Sequence, residues 1–199
     1  MQPLGFGKAP LVCSLLLAAA AVAAQDTLKL PARFTAFAVS TGGPRTSDVA
    51  SQVEIVIERW STAAESERLT EVLTTKGPDA ALETLRELKP VGRISTPGNL
   101  AYDLHYAHQE PQPDGGRRIF LATDRPISYW EAVNQPRVSN YPFTFIELQM
   151  NATGEGEGKL ALATKIERSA NGRHLQLVSY ASQPIQLNDV TLQRSGAAR

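Results

Sequence analysis

Cysteine is almost missing from this chain. Cys13 stands alone, inside the apolar run "LVCSLLLAAAAVA" near the N-terminus. A lipoprotein signal would place its cysteine after that run, at the cleavage site, so lipidation is not expected. Beyond residue 24 there is no thiol. That removes disulfides, a thiol nucleophile and a thiolate metal site from the remainder. An excess of one charge is missing too: twenty Lys and Arg face twenty Asp and Glu. A nucleic-acid binder needs a positive stripe, so no nucleic-acid partner is expected. Only three histidines are present. There is no G-x-S-x-G elbow, so a Ser–His pair would have to assemble through space. "GEGEGK" at 154–159 lacks the Walker spacing and joins one strand to another, as a hairpin turn does. No cofactor is indicated.

The N-terminus is the most specific feature present. One charge, Lys8, precedes the apolar run, and Val22 and Ala24 fit the small-x-small pattern for cleavage before Gln25. Residues 1–24 read as a secretory signal peptide and 25–199 as one domain, exported to the periplasm or the exterior. No later segment is long and apolar enough to span a membrane as a helix. With Lys8 gone, nineteen basic residues face twenty acidic ones. About 175 residues are enough to bury a core without disulfides.

Alternation marks strands at 32–41, 51–60, 99–109, 117–124, 143–151, 159–168, 174–181 and 185–193. The last four read as a meander, with Asn171-Gly172 as a tight turn. The period changes at 62–89. Thr62 and Glu65 have capping-box spacing, Gly77 ends one helix and Pro78 opens the next. The expected fold is α+β: a curved antiparallel sheet of about eight strands, open or closed into a barrel, with an inserted helical hairpin.

One stretch has neither period. "TDRPISYWEAVNQPRVSNYPF" (123–143) carries three prolines and several amphipathic side chains. Long irregular connections in compact domains are often functional. Arg125, Tyr129, Trp130, Glu131, Asn134, Arg137 and Tyr141 suit recognition of a small apolar ligand or an envelope protein. They also suit a plug over a barrel end, with Trp130 buried and Arg125 paired to Glu131 or Asp124. The stretch "ATDRPISYWEAVNQPRVSNYPFTFIELQMNATGEGEGKLALATKI", with "WS" at 60–61, resembles a group of secreted bacterial proteins of unknown function. That resemblance implies export and an independent fold, and no chemistry.

Two enzymatic patterns remain. Asp103 and His105 lie two apart on a strand and should share a face, so they could hold a metal with His174 as third ligand. Asp124, Glu131 and Glu147 could supply a carboxylate pair. The leading expectation is a non-enzymatic binding or interaction protein of the cell envelope. An envelope hydrolase or metal-dependent enzyme using Asp103 and His105, and an assembly partner of an envelope complex, are the alternatives.

Overall fold

The structure is a computed structural model describing residues 28–39, 50–96, 101–125, 127, 143–168, 175–180 and 184–193; for 161–168 and 176–180 it describes the backbone. Residues 1–24, expected as a signal peptide, Asn171-Gly172, expected as a tight turn, His174 and residues 128–142 lie outside the described residues. Strands β1 (Ala32–Val39) and β2 (Ala50–Ile57) precede helices α1 (Ala63–Lys76) and α2 (Pro78–Glu87). Then follow β3 (Gly92–Ser95), β4 (Tyr102–Pro111), β5 (Arg117–Thr123), β6 (Thr144–Met150), β7 (Glu155–Arg168), β8 (Leu175–Tyr180) and β9 (Ile185–Gln193). The strands run β6-β5-β4-β3-β2-β1-β9-β7, and β7 pairs again with β6. Eight antiparallel strands therefore close into a barrel, and the fold is mainly β. Of the open and closed alternatives, the closed one is realised.

Alternation fills the barrel. Phe34, Ile55, Ile57, Ile94, Leu104, Ile119, Leu121, Ile146 and Leu148 form its interior, each no more than 1% exposed. An eight-stranded barrel is just wide enough for side chains to fill, so the interior is core and not channel. The opposite faces of β4, β5 and β6 carry Tyr106, Phe120, Ala122 and Phe145. These pack under Leu69, Leu73, Ala81, Leu82 and Leu85 of the helices, making a second core outside the barrel.

The helical hairpin follows its sequence signals. Thr62 Oγ1 accepts from the Glu65 amide at 3.2 Å, and Glu65 Oε2 accepts from the Thr62 amide at 2.7 Å. Gly77, at φ +88°, ends α1 and starts α2, a conformation that favours glycine. Within the barrel, β3 lies close against β2 at Gly92. A Cβ there would lie 2.0 Å from the Val56 carbonyl oxygen.

Four features depart from the expectation. β3 is a ninth strand of only four residues, too short to show a period. β7 begins at Glu155, so most of "GEGEG" is strand, and the turn is confined to Asn151–Gly154. The meander breaks at its end: β9 pairs with β7 and β1 and not with β8. β8 faces 163–168 of β7 and β9 faces 155–160, so both lie along the same strand, with Pro184 between them. Proline has no N–H to continue the ladder. Finally, β4 does not alternate throughout. Leu104 pairs with Thr123 and Tyr106 with Ala122, so His105 is an extra residue, a bulge. Leu104 faces the barrel interior and Tyr106 the outer core.

Candidate functional site

The long connection leaves β5 at Thr123 and enters β6 at Thr144, and these two buried threonines clasp its roots. Thr123 Oγ1 accepts from the Thr144 amide at 3.0 Å and donates to the Arg125 carbonyl. Thr144 Oγ1 accepts from the Ile127 amide at 3.2 Å. Both threonines are at most 2% exposed, so in this low-dielectric setting each unmade bond would be costly. Ile127 then turns into the barrel core, while Phe143 joins the outer core. One root is pinned inside the barrel and the other outside it.

Charge gathers beside this clasp. Arg125 Nε donates to Asp124 Oδ1 at 3.0 Å. The arginine is exposed, and its pKa is raised further by that hydrogen bond and by the Asp124 charge, with Asp103 and Tyr102 contributing less. His105 Nε2 lies 3.9 Å from the same Asp124 oxygen. Its Nδ1 sits 2.9 Å from the carbonyl of Leu88, the C-cap of α2. A carbonyl only accepts, so Nδ1 carries the proton and donates. One imidazole thus links α2, the bulge of β4 and the root of the connection.

The structure brings together part of what the sequence suggested. Arg125 pairs with Asp124, one of the two partners expected for it. Asp103 and His105 differ in burial: Asp103 is exposed and opposite Arg93, while His105 is 7% exposed and turned to Asp124. Tyr129, Trp130, Glu131, Asn134, Arg137 and Tyr141 lie outside the described residues, as does His174. Among the described residues no three His, Cys, Asp or Glu side chains group to hold a metal. Glu147 is engaged by Arg118 at 2.6 Å and is remote from Asp124 along the β5–β6 ladder.

The described end-cavity lies elsewhere. A hollow of about 90 Å³, lined by Leu28, Phe34, Arg117, Met150 and Leu192 among others, sits at the opposite mouth of the barrel. There Arg117 also donates to Gln109 Oε1 at 3.3 Å.

Sequence reasoning missed Arg59. Its guanidinium meets Glu65 with two hydrogen bonds, at 2.9 and 3.1 Å, and donates to the Lys89 and Pro90 carbonyls. It ties the start of the hairpin to its end. Ser61 is a second such residue. Its amide donates to the Ala107 carbonyl and its Oγ accepts from the Ala107 amide, completing the ladder of β4 beyond the end of β3. Only the fold could reveal either role in full, since Lys89 and Pro90 lie 30 and 31 residues from Arg59, and Ala107 lies 46 from Ser61. No family model, curated protein or solved structure matches this chain.

Proposed function

We propose that this chain is an exported, non-enzymatic binding or interaction protein of the cell envelope, presenting its 124–142 connection from a closed barrel. The observation that carries this reading is the clasp: Thr123, Thr144 and the inserted Ile127 fix both roots of the connection on rigid strands. Recognition elements mounted on a stiff scaffold lose less entropy on binding. The aromatic and charged residues between the roots have the composition of a recognition surface. The partner in this reading is an envelope protein or a small apolar ligand. A stable structural role in an envelope assembly would use the same surface.

The test compares wild type with Trp130→Ala and Arg137→Ala for retention of envelope components and for thermal midpoint. Loss of a retained component by variants that melt like the wild type is expected. Variants that retain it undiminished sink the reading. A Trp130 variant that melts far lower and binds normally once folded would instead make the connection a plug.

A hydrolytic or metal-dependent reading has one observation in its favour, the approach of His105 to Asp124. Against it, one imidazole nitrogen is committed to Leu88 and the other faces a carboxylate already held by Arg125. Little remains to accept a substrate proton. Stoichiometric zinc in purified protein, lost in His105→Gln, would revive it.

A further inference from the structure

We propose that His105 is a proton-operated latch between the end of α2 and the root of the connection that follows β5. Three elements meet at this ring. α2 offers the Leu88 carbonyl, β4 carries the ring on its bulge, and Asp124 stands just beyond the end of β5. Asp124 in turn holds Arg125, whose carbonyl accepts from Thr123 in the clasp. What happens at the ring is therefore passed to both sides of it.

The tautomer decides what the latch does. Nδ1 donates to Leu88 at 2.9 Å, so a neutral ring keeps its lone pair on Nε2. That lone pair faces Asp124 Oδ1, which also only accepts. Two acceptors do not bond, and their separation of 3.9 Å is beyond hydrogen-bond length. A proton on Nε2 turns this mismatch into a donor facing a carboxylate. The contact can then shorten to a charge-assisted bond while Nδ1 keeps Leu88. The proton lodges between the two groups and is not passed to a substrate.

The charges around the closed latch complement it. Asp124 is the nearest, and its side chain is only 13% exposed, so water screens it weakly. Leu88 is the C-cap of α2, the end at which a helix dipole favours a cation. Asp103, on the same strand as His105, adds negative charge near the Arg125–Asp124 pair, where Tyr102 also lies. Arg125 is the opposing charge. Its side chain is 60% exposed, so solvent screens it far more than Asp124. Acid should therefore draw Asp124 onto the ring and fasten the end of the helical hairpin to the root of the connection. The latch lies wholly at the root, and it acts in the same way whatever the connection binds.

The experiment follows native-state hydrogen exchange, and the ring nitrogens of His105 by NMR, between about pH 8 and about pH 5 with a chelator present. Exchange is expressed as protection, which removes the intrinsic effect of pH. Two amides report on the root: Ile127, which donates to Thr144, and Thr144, which donates to Thr123. Two report on the end of the hairpin: Leu88, which donates to Leu85, and Val91, which donates to Leu104. Protection at all four should rise about tenfold as Nε2 takes its proton. Nδ1 should stay protonated throughout. His105→Gln can still donate to Leu88 but does not titrate, and it should abolish the rise. Asp124→Asn should do the same, and His108→Gln should leave the rise intact. Protection that stays flat across the range overturns the proposal. So does a rise that survives in His105→Gln or is lost in His108→Gln. Should both latch variants misfold, the wild type decides alone: a rise whose midpoint differs from that of Nε2 overturns the proposal.

Discussion

Phe120 and Leu121 are neighbours on β5, both fully buried, and they belong to different cores. Leu121 points into the barrel among residues contributed by eight strands. Phe120 points outward, beneath the helical hairpin. The inner core is aliphatic, with Phe34 the one aromatic in its buried set. The outer core holds Tyr106, Phe120, Phe143 and Phe145. Space decides the difference. An eight-stranded barrel leaves a narrow interior suited to branched aliphatic side chains, while the gap between a helix and a sheet accepts rings. The comparison also separates two kinds of dependence. The inner core draws on all eight strands and requires ring closure by β9 and β1. The outer core is a lid of two local helices laid on one side of the barrel.

The largest effect should come from Phe120→Ala. It removes a ring from the outer core, together with the Arg118 guanidinium stacked over it at 5.0 Å. A cost of about 3–5 kcal/mol is expected. Denaturant unfolding measures it, and native-state hydrogen exchange shows where it falls. Amides of α1 and α2 should lose more protection than those of β1 and β2. Leu121→Ala should cost about 2–4 kcal/mol and lower protection around the whole barrel. If the two variants give the same exchange pattern, the cores are one cooperative unit and the contrast fails.

Tyr106→Phe sharpens the comparison by removing one oxygen from the outer core. That oxygen lies 3.5 Å from the Leu175 amide and shares a hydrogen bond with the Ser66 side chain. It thus joins α1, β4 and β8, and its loss should cost about 1 kcal/mol. Burial pushes the Tyr106 pKa up to about 12, against slight lowering by Leu175 and Ser66. A raised folded value means that the folded state keeps its proton after the unfolded state has begun to lose it. The stability gained is full below the unfolded value near 10 and is lost as pH rises through about 12. The wild type should therefore lose more stability than Tyr106→Phe across that alkaline window. Parallel profiles would remove Tyr106 from the alkaline transition.

Both helices and most strands were legible in the sequence because their signals are local. Thr62 with Glu65 and Gly77 with Pro78 mark the two ends of α1, and in β1 and β2 Arg33, Thr35 and Glu54 alternate with apolar residues. The rest failed where one residue or one distant pairing decides. His105, a single inserted residue, reverses the facing of β4 and puts Leu104 and Tyr106 in different cores. Closure depends on β9 meeting β1, more than a hundred residues away in the chain. At the candidate site, Arg125 with Asp124 could be read from adjacency. The clasp could not, because Thr123 and Thr144 are 21 residues apart and threonine in a strand looks ordinary.

Thr62→Ala should have the smallest effect, and it tests whether the lid is held by its own cap or by its tie to the barrel. The substitution removes the acceptor for the Glu65 amide but leaves Glu65 able to accept from the backbone at 62. About 1 kcal/mol is the usual cost. The Glu65 carboxyl is held below its ordinary value chiefly by the Arg59 hydrogen bonds, against the opposing effect of burial, with Thr62 contributing less. A lowered folded pKa gives stability that is present above the unfolded value and disappears as pH falls through the folded one. Thr62→Ala keeps the Arg59 pair, so its melting curve should shift down by a nearly constant amount as the solution is acidified. Arg59→Ala should differ: its deficit should be greatest near neutral pH and shrink in acid, where the wild type has itself lost the ion pair. Thermal midpoints across the acid limb distinguish the two. If the Thr62→Ala deficit shrinks in acid as steeply as that of Arg59→Ala, the cap and the tie act as one interaction. The hairpin would then owe its position to Arg59 and not to its own N-terminus.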